Sequence, residues 1–123
     1  MIEAHNPRLA LTLLSTTSAV DMKTAASTTL YTVPTGFVGR ISHVVIRDPS
    51  ASMAGGTSYS FTQWKQTVDL SSLTTLATDY IVLDSNNTKF QELAAATAFQ
   101  ITVTTGTTAA CTATIDVFGY LTT

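Results

Sequence analysis

A chain of 123 residues has the length of one domain and can bury a core of its own. It carries 25 threonines and 11 serines but only 14 charged side chains, 11% against roughly 25% in an ordinary soluble domain, so its polar surface must be built largely from hydroxyls. Six scattered cations and a net charge of −2 exclude a clustered basic footprint for nucleic acid, and the single Cys111 excludes an internal disulfide. No apolar run approaches the roughly 20 residues of a membrane helix, so no membrane partner is expected.

Residues 1–27 differ from the rest. They pass from His5-Asn6-Pro7 through LALTLL to the small-residue stretch TAAST. Leu9, Leu11 and Leu13 share one face of an extended segment, with Ala10, Thr12 and Leu14 on the other. Two readings stay open: a first strand of the domain, or an arm that leaves it and pairs with a neighbour. LALTLL is too short for a signal-peptide core and follows an acidic Glu3, so secretion is not expected.

From residue 28 onward the chain reads as strand, turn, strand, and residues 28–123 form the predicted domain. TTLYTV (28–33) is β-rich and stops at Pro34-Thr35-Gly36. Residues 38–47 carry apolar side chains on both parities, Ile41 and Val45 on one, Val38, Val44 and Ile46 on the other. A strand apolar on both sides is covered on both sides, which points to a partner over its outer face. A loop runs from Asp48-Pro49-Ser50 to Gly55-Gly56, and residues 59–64 form a strand with aromatics of both parities, Tyr59 and Phe61 against Trp64.

Asp69 as a cap, with Leu70, Leu73 and Leu76 at every third position, predicts a short helix over 69–77. DYIVLD (79–84) predicts a strand closed by Ser85-Asn86-Asn87-Thr88. The last third is the most regular. Phe99, Ile101 and Val103 alternate with Gln100, Thr102 and Thr104; after a turn at Gly106, Cys111, Ala113, Ile115 and Val117 alternate with Thr112, Thr114, Asp116, Phe118 and Tyr120. Short strands at this spacing predict an all-β chain, an antiparallel β-sandwich of jelly-roll-like type with an extended N-terminal arm.

Groups for chemistry are few. His5 lies in the N-terminal segment, and His43 sits mid-strand with nothing to place a nucleophile or carboxylate beside it. Cys111, among small and apolar neighbours with no nearby cation, reads as a small hydrophobe. Two His and one Cys far apart do not make a zinc site. Asp84-x-Asn86-x-Thr88 lacks the glycine and distal glutamate of a calcium loop, and Gly55-Gly56 lacks the spacing of a phosphate loop. No catalytic residue, cofactor or metal is expected, although a meeting of two carboxylates in space is left open for a small hydrolase. Tyr59, Trp64, Phe118 and Tyr120 are candidates for core, for a subunit interface or for stacking on sugar rings.

The segments TTLYTVPTGFVGRISHVVIRDPS and FQITVTTGTTAACTATIDVFGYL resemble small β-sandwich virion proteins of tailed bacteriophages, over residues 28–121. That resemblance implies a capsid decoration, or cement, protein that binds the outer face of the major capsid protein shell, as a homotrimer, and acts without chemistry. It implies a location on the capsid surface after assembly in the host cytoplasm. Candidate interface residues are Leu9, Leu11, Leu13, Val38, Val44, Ile46, Phe118 and Tyr120. The alternative is a tail or fibre module that binds a host-surface glycan through its aromatics.

Overall fold

A computed structural model describes residues 11–62, 66–74, 79–84 and 92–123. They form eight strands: β1 (Thr12–Asp21), β2 (Ser27–Thr32), β3 (Val38–Arg47), β4 (Ser58–Phe61), β5 (Tyr80–Asp84), β6 (Glu92–Leu93), β7 (Ala98–Thr105) and β8 (Thr112–Thr122). Two antiparallel sheets pack into a sandwich. The larger has the order β1-β8-β3-β5, with β6 pairing β3 further along the same edge; the smaller has the order β2-β7-β4. The pairs β1·β8, β2·β7 and β3·β6 are nested along the chain, and β5 lies in the larger sheet rather than beside β4.

Alternation builds the core where the sequence is regular. Phe99, Ile101 and Val103 of β7 and Ala113, Ile115 and Val117 of β8 all point between the sheets and are buried. Phe61 and Phe99 stack there with ring centroids 5.6 Å apart. Each such large side chain, withdrawn from water, contributes about 1.5–3 kcal/mol.

β3 departs from alternation, and the departure explains its two apolar parities. Its register against β8 slips between Ile41 and His43, so one extra residue is accommodated as a bulge. Ile41 before the bulge and Val44 and Ile46 after it therefore all face inward and are buried. Val44 and Ile46 thus belong to the inter-sheet core and cannot serve as the interface residues the sequence suggested. Of its apolar side chains only Val38 and Val45 remain for the outer side, each partly buried.

The open question over the N-terminal segment is resolved for residues 12–21. They form β1, an edge strand paired with β8 from Thr12↔Gly119 to Asp21↔Thr112. Two register shifts interrupt it, and Ala19 takes a left-handed φ of 57° in the second. Leu14 packs against the core, and the Ser15 hydroxyl donates to the Leu30 carbonyl at 2.7 Å, tying β1 to the smaller sheet. Residues 1–10, Leu9 among them, lie outside the described residues.

The expected helix over 69–77 is not formed by its described part. Asp69 accepts hydrogen bonds from the Ser71 amide (2.9 Å) and hydroxyl (2.6 Å), and the Leu73 amide donates to the Leu70 carbonyl at 3.0 Å. The result is an Asx turn followed by a tight turn, and residues 75–78 lie outside the described residues. Leu70 and Leu73 are buried together with Met53, closing one end of the sandwich. That plug is held by backbone bonds from Met53 to Leu73 and from Leu70 to Gly56, each 2.9 Å. Tyr59 anchors it further: its hydroxyl donates to the Met22 carbonyl at 2.8 Å.

Candidate interaction surface

The outer face of the larger sheet follows from the strand registers. Leu13 stands opposite Phe118, Phe118 opposite His43, and His43 opposite Asp84. Two residues along, Thr16, Asp116, Val45 and Val82 form the next row; Thr114, Arg47 and Tyr80 lie in the row beyond. In the other direction Tyr120 neighbours Arg40, which neighbours Glu92, and Leu11 shares the parity of Leu13.

Among the described residues, the large apolar side chains that stay exposed are Tyr80 (65%), Leu11 (50%), Leu13 (49%) and Val82 (39%). All four belong to this one face. Between them lie the rings of Phe118 and His43, stacked with centroids 4.4 Å apart and planes within 9°. An apolar band thus crosses the sheet diagonally, from Leu11 and Leu13 at the β1 edge, through Phe118, His43 and Val45, to Val82 and Tyr80 at the β5 edge.

Charges flank the band and satisfy one another. On one side Arg40 pairs with Glu92. On the other, Arg47 donates from Nε to Asp116 Oδ2 at 2.8 Å and from Nη1 to Asp48 at 2.7 Å, while the Thr16 hydroxyl donates to Asp116 Oδ1 at 2.8 Å. Burial alone would raise the Asp116 pKa. The hydrogen bonds from Arg47 and Thr16, with the guanidinium charge, outweigh it and hold the carboxyl below its ordinary range. The same contacts raise the Arg47 pKa, through the Asp116 hydrogen bond first.

The outer face of the smaller sheet has a different character. Ser27 and Thr102 exchange a hydrogen bond at 2.8 Å, Gln100 Nε2 donates to Thr29 at 3.0 Å, and the Gln100 amide donates to Thr62 at 2.8 Å. Hydroxyls and one amide make up this ladder, with no charged side chain at its described strand positions. Hydroxyls take the place of charges on this face, while the larger sheet carries the apolar band.

Of the residues singled out from sequence, Leu11, Leu13, Val38, Phe118 and Tyr120 are brought to the outer face of the larger sheet. Val44 and Ile46 are not, and Leu9 lies outside the described residues. Tyr59 is core, with burial pushing its pKa up to about 12, and so leaves the aromatic set; Trp64 lies outside the described residues. Tyr80 and Val82 were missed. Their signal was the alternation of Tyr80, Val82 and Asp84 against Ile81 and Leu83, masked by a segment apolar at three successive positions.

The arrangement offers little for chemistry. Cys111 is buried, its thiol directed to the Ala51 carbonyl at 3.3 Å, while His43 lies on the outer face, so the two make no dyad. His43 Nδ1 lies 3.2 Å from the Ser42 hydroxyl, and the Asp116 oxygens are taken by Arg47 and Thr16. Among the described residues no three His, Cys, Asp or Glu side chains gather as a metal site. Most of the Asp84–Thr88 segment lies outside the described residues. Comparison with known proteins gives no matching family model, no matching curated protein and no matching solved structure.

Proposed function

We propose that the chain is a structural protein of a tailed-bacteriophage virion, a capsid decoration protein that covers and stabilises the shell of major capsid protein and performs no reaction. The observation that carries the reading is the outer face of the larger sheet, where every exposed large apolar side chain among the described residues is gathered and the flanking charges are already paired. Such a face is suited to a protein surface, because covering it removes apolar area from water without stranding a charge. The likeness of residues 28–121 to virion proteins supplies the identity of the particle and the expectation of a trimer on the capsid surface. Many modest contacts repeated over a shell add up to strong attachment.

The glycan-binding alternative draws on Phe118 and Tyr120, two residues apart on the same face of β8. One face of the Phe118 ring is already taken by His43, stacked at 4.4 Å, and both side chains are partly buried, which leaves less open ring surface for a sugar. The test is the protein content and heat resistance of purified virions. Particles that carry the chain should hold it in many copies, and particles made without it should release DNA at lower temperature. Absence of the chain from particles contradicts the reading.

A further inference from the structure

We propose that the outer face of the larger sheet is where copies of this chain contact one another, face to face, the apolar band of one copy lying on that of the next. The inference rests on the virion reading only for the expectation that copies stand side by side on a particle.

Three observations select the occupant and the mode. First, both arginines of the face have their countercharge on the same side of the molecule: Arg40 in Glu92, and Arg47 in Asp116 and Asp48. A partner therefore needs to bring no countercharge, and a surface that is itself apolar with internally paired charges fits best. This chain, 11% charged and with a net charge of −2, carries such a surface, and two copies repel each other weakly.

Second, the size fits. β3 and β8 run ten and eleven residues. At about 3.3 Å per residue and about 4.8 Å per strand, four strand places give a footprint of about 650 Å² before side-chain relief is added. That is on the scale of the about 800 Å² per partner in a standard interface.

Third, the edges do not compete. β1 is interrupted by two register shifts, and the opposite edge is divided between a five-residue and a two-residue strand. Neither is the long flat edge that template pairing between sheets requires. Association through the face is the remaining route for this sheet.

The test is sedimentation of the purified full chain at about 100 µM, where a micromolar affinity is nearly saturated. The wild type should sediment as a discrete dimer, because one self-complementary face per chain closes as a pair. Leu13→Asp and Val82→Asp should each weaken that association by about tenfold or more, since a buried unpaired charge is costly. Tyr80→Lys, at a side chain too exposed to matter for folding, should act in the same direction, and Thr104→Asp on the opposite sheet should leave the oligomer intact. Circular dichroism confirms that each variant is folded. A monomeric wild type, an oligomer indifferent to Leu13, Val82 and Tyr80, or one dissolved equally by Thr104→Asp overturns the inference. A monomer in solution that is still present on virions overturns this inference alone, whereas an oligomer that is absent from virions overturns the virion reading alone.

Discussion

Asp116 is the charged side chain that the described fold buries most, 8% exposed on the outer face of β8. Its alternation with Ile115 and Val117 was plain in the sequence, but its partners were not, because Thr16 and Arg47 come from strands 100 and 69 residues away. Removing the carboxylate in Asp116→Ala strands both donors and should cost about 1–2 kcal/mol, kept modest because Arg47 is partly exposed and screened. The folded-state pKa of Asp116 is depressed, so its contribution is fully present above the unfolded value of about 3.9 and is lost as pH falls through the folded value. Asp21 and Asp69, held low by local backbone and hydroxyl donors, act in the same direction. Denaturation at successive pH values should therefore show stability falling below about pH 4, and less steeply in Asp116→Asn than in wild type.

Tyr59 sets the opposite limb. Burial, ahead of the neighbouring acidic groups, pushes its pKa up to about 12. A phenol that ionises near pH 10 when unfolded and later when folded stabilises the fold below pH 10 and loses that effect as pH rises towards the folded value. Tyr59→Phe should flatten this alkaline decline. At neutral pH it should cost about 1 kcal/mol, because the Met22 carbonyl keeps the Thr107 amide as a second donor.

At the scale of elements, regular strands were legible and irregular ones were not. β7 and β8 follow from alternation, which in β7 slips only at its end, where Thr104 is the extra residue against β4. β3 misled because alternation assumes constant register, and a bulge between Ile41 and His43 reverses the parity of everything after it. The leucine spacing at 70 and 73 looked helical, yet Asp69 spends its carboxylate on Ser71 in a turn and both leucines fill the end of the sandwich. The candidate surface was half legible. Phe118, Tyr120, Leu11 and Leu13 could be placed by parity, but their union with Val82 and Tyr80 depends on the order β1-β8-β3-β5, which no local pattern encodes.

The β3–β8 pair is the spine of the larger sheet, and Gly119 shows how closely it is fitted. A Cβ at that position would strike the carbonyl oxygen of Arg40 on β3. Gly119→Ala should therefore destabilise the domain by about 1–3 kcal/mol, read from chemical denaturation, as overpacking does elsewhere. The β1 edge makes a second prediction. A domain with residues 1–14 deleted loses Leu14 from the core margin and the Thr12 and Leu13 pairings with β8. It should still fold, with about 1–2 kcal/mol less stability and a lower Tm. Unchanged stability would return the segment to the status of a detachable arm.

For the whole molecule, the scarcity of charge acquires a spatial meaning. The smaller sheet meets its surroundings through a hydroxyl and amide ladder, and the larger one through an apolar band bordered by paired charges. A molecule with two such faces has surfaces for contact. The most direct test of the proposed virion role is a high-resolution reconstruction of phage particles produced from a genome that encodes this chain. The proposed role predicts the sandwich in many copies on the outer shell, with Leu13, Phe118 and Val82 buried against protein. The chain missing from the particle, or present with the outer face of its larger sheet open to solvent, would contradict it.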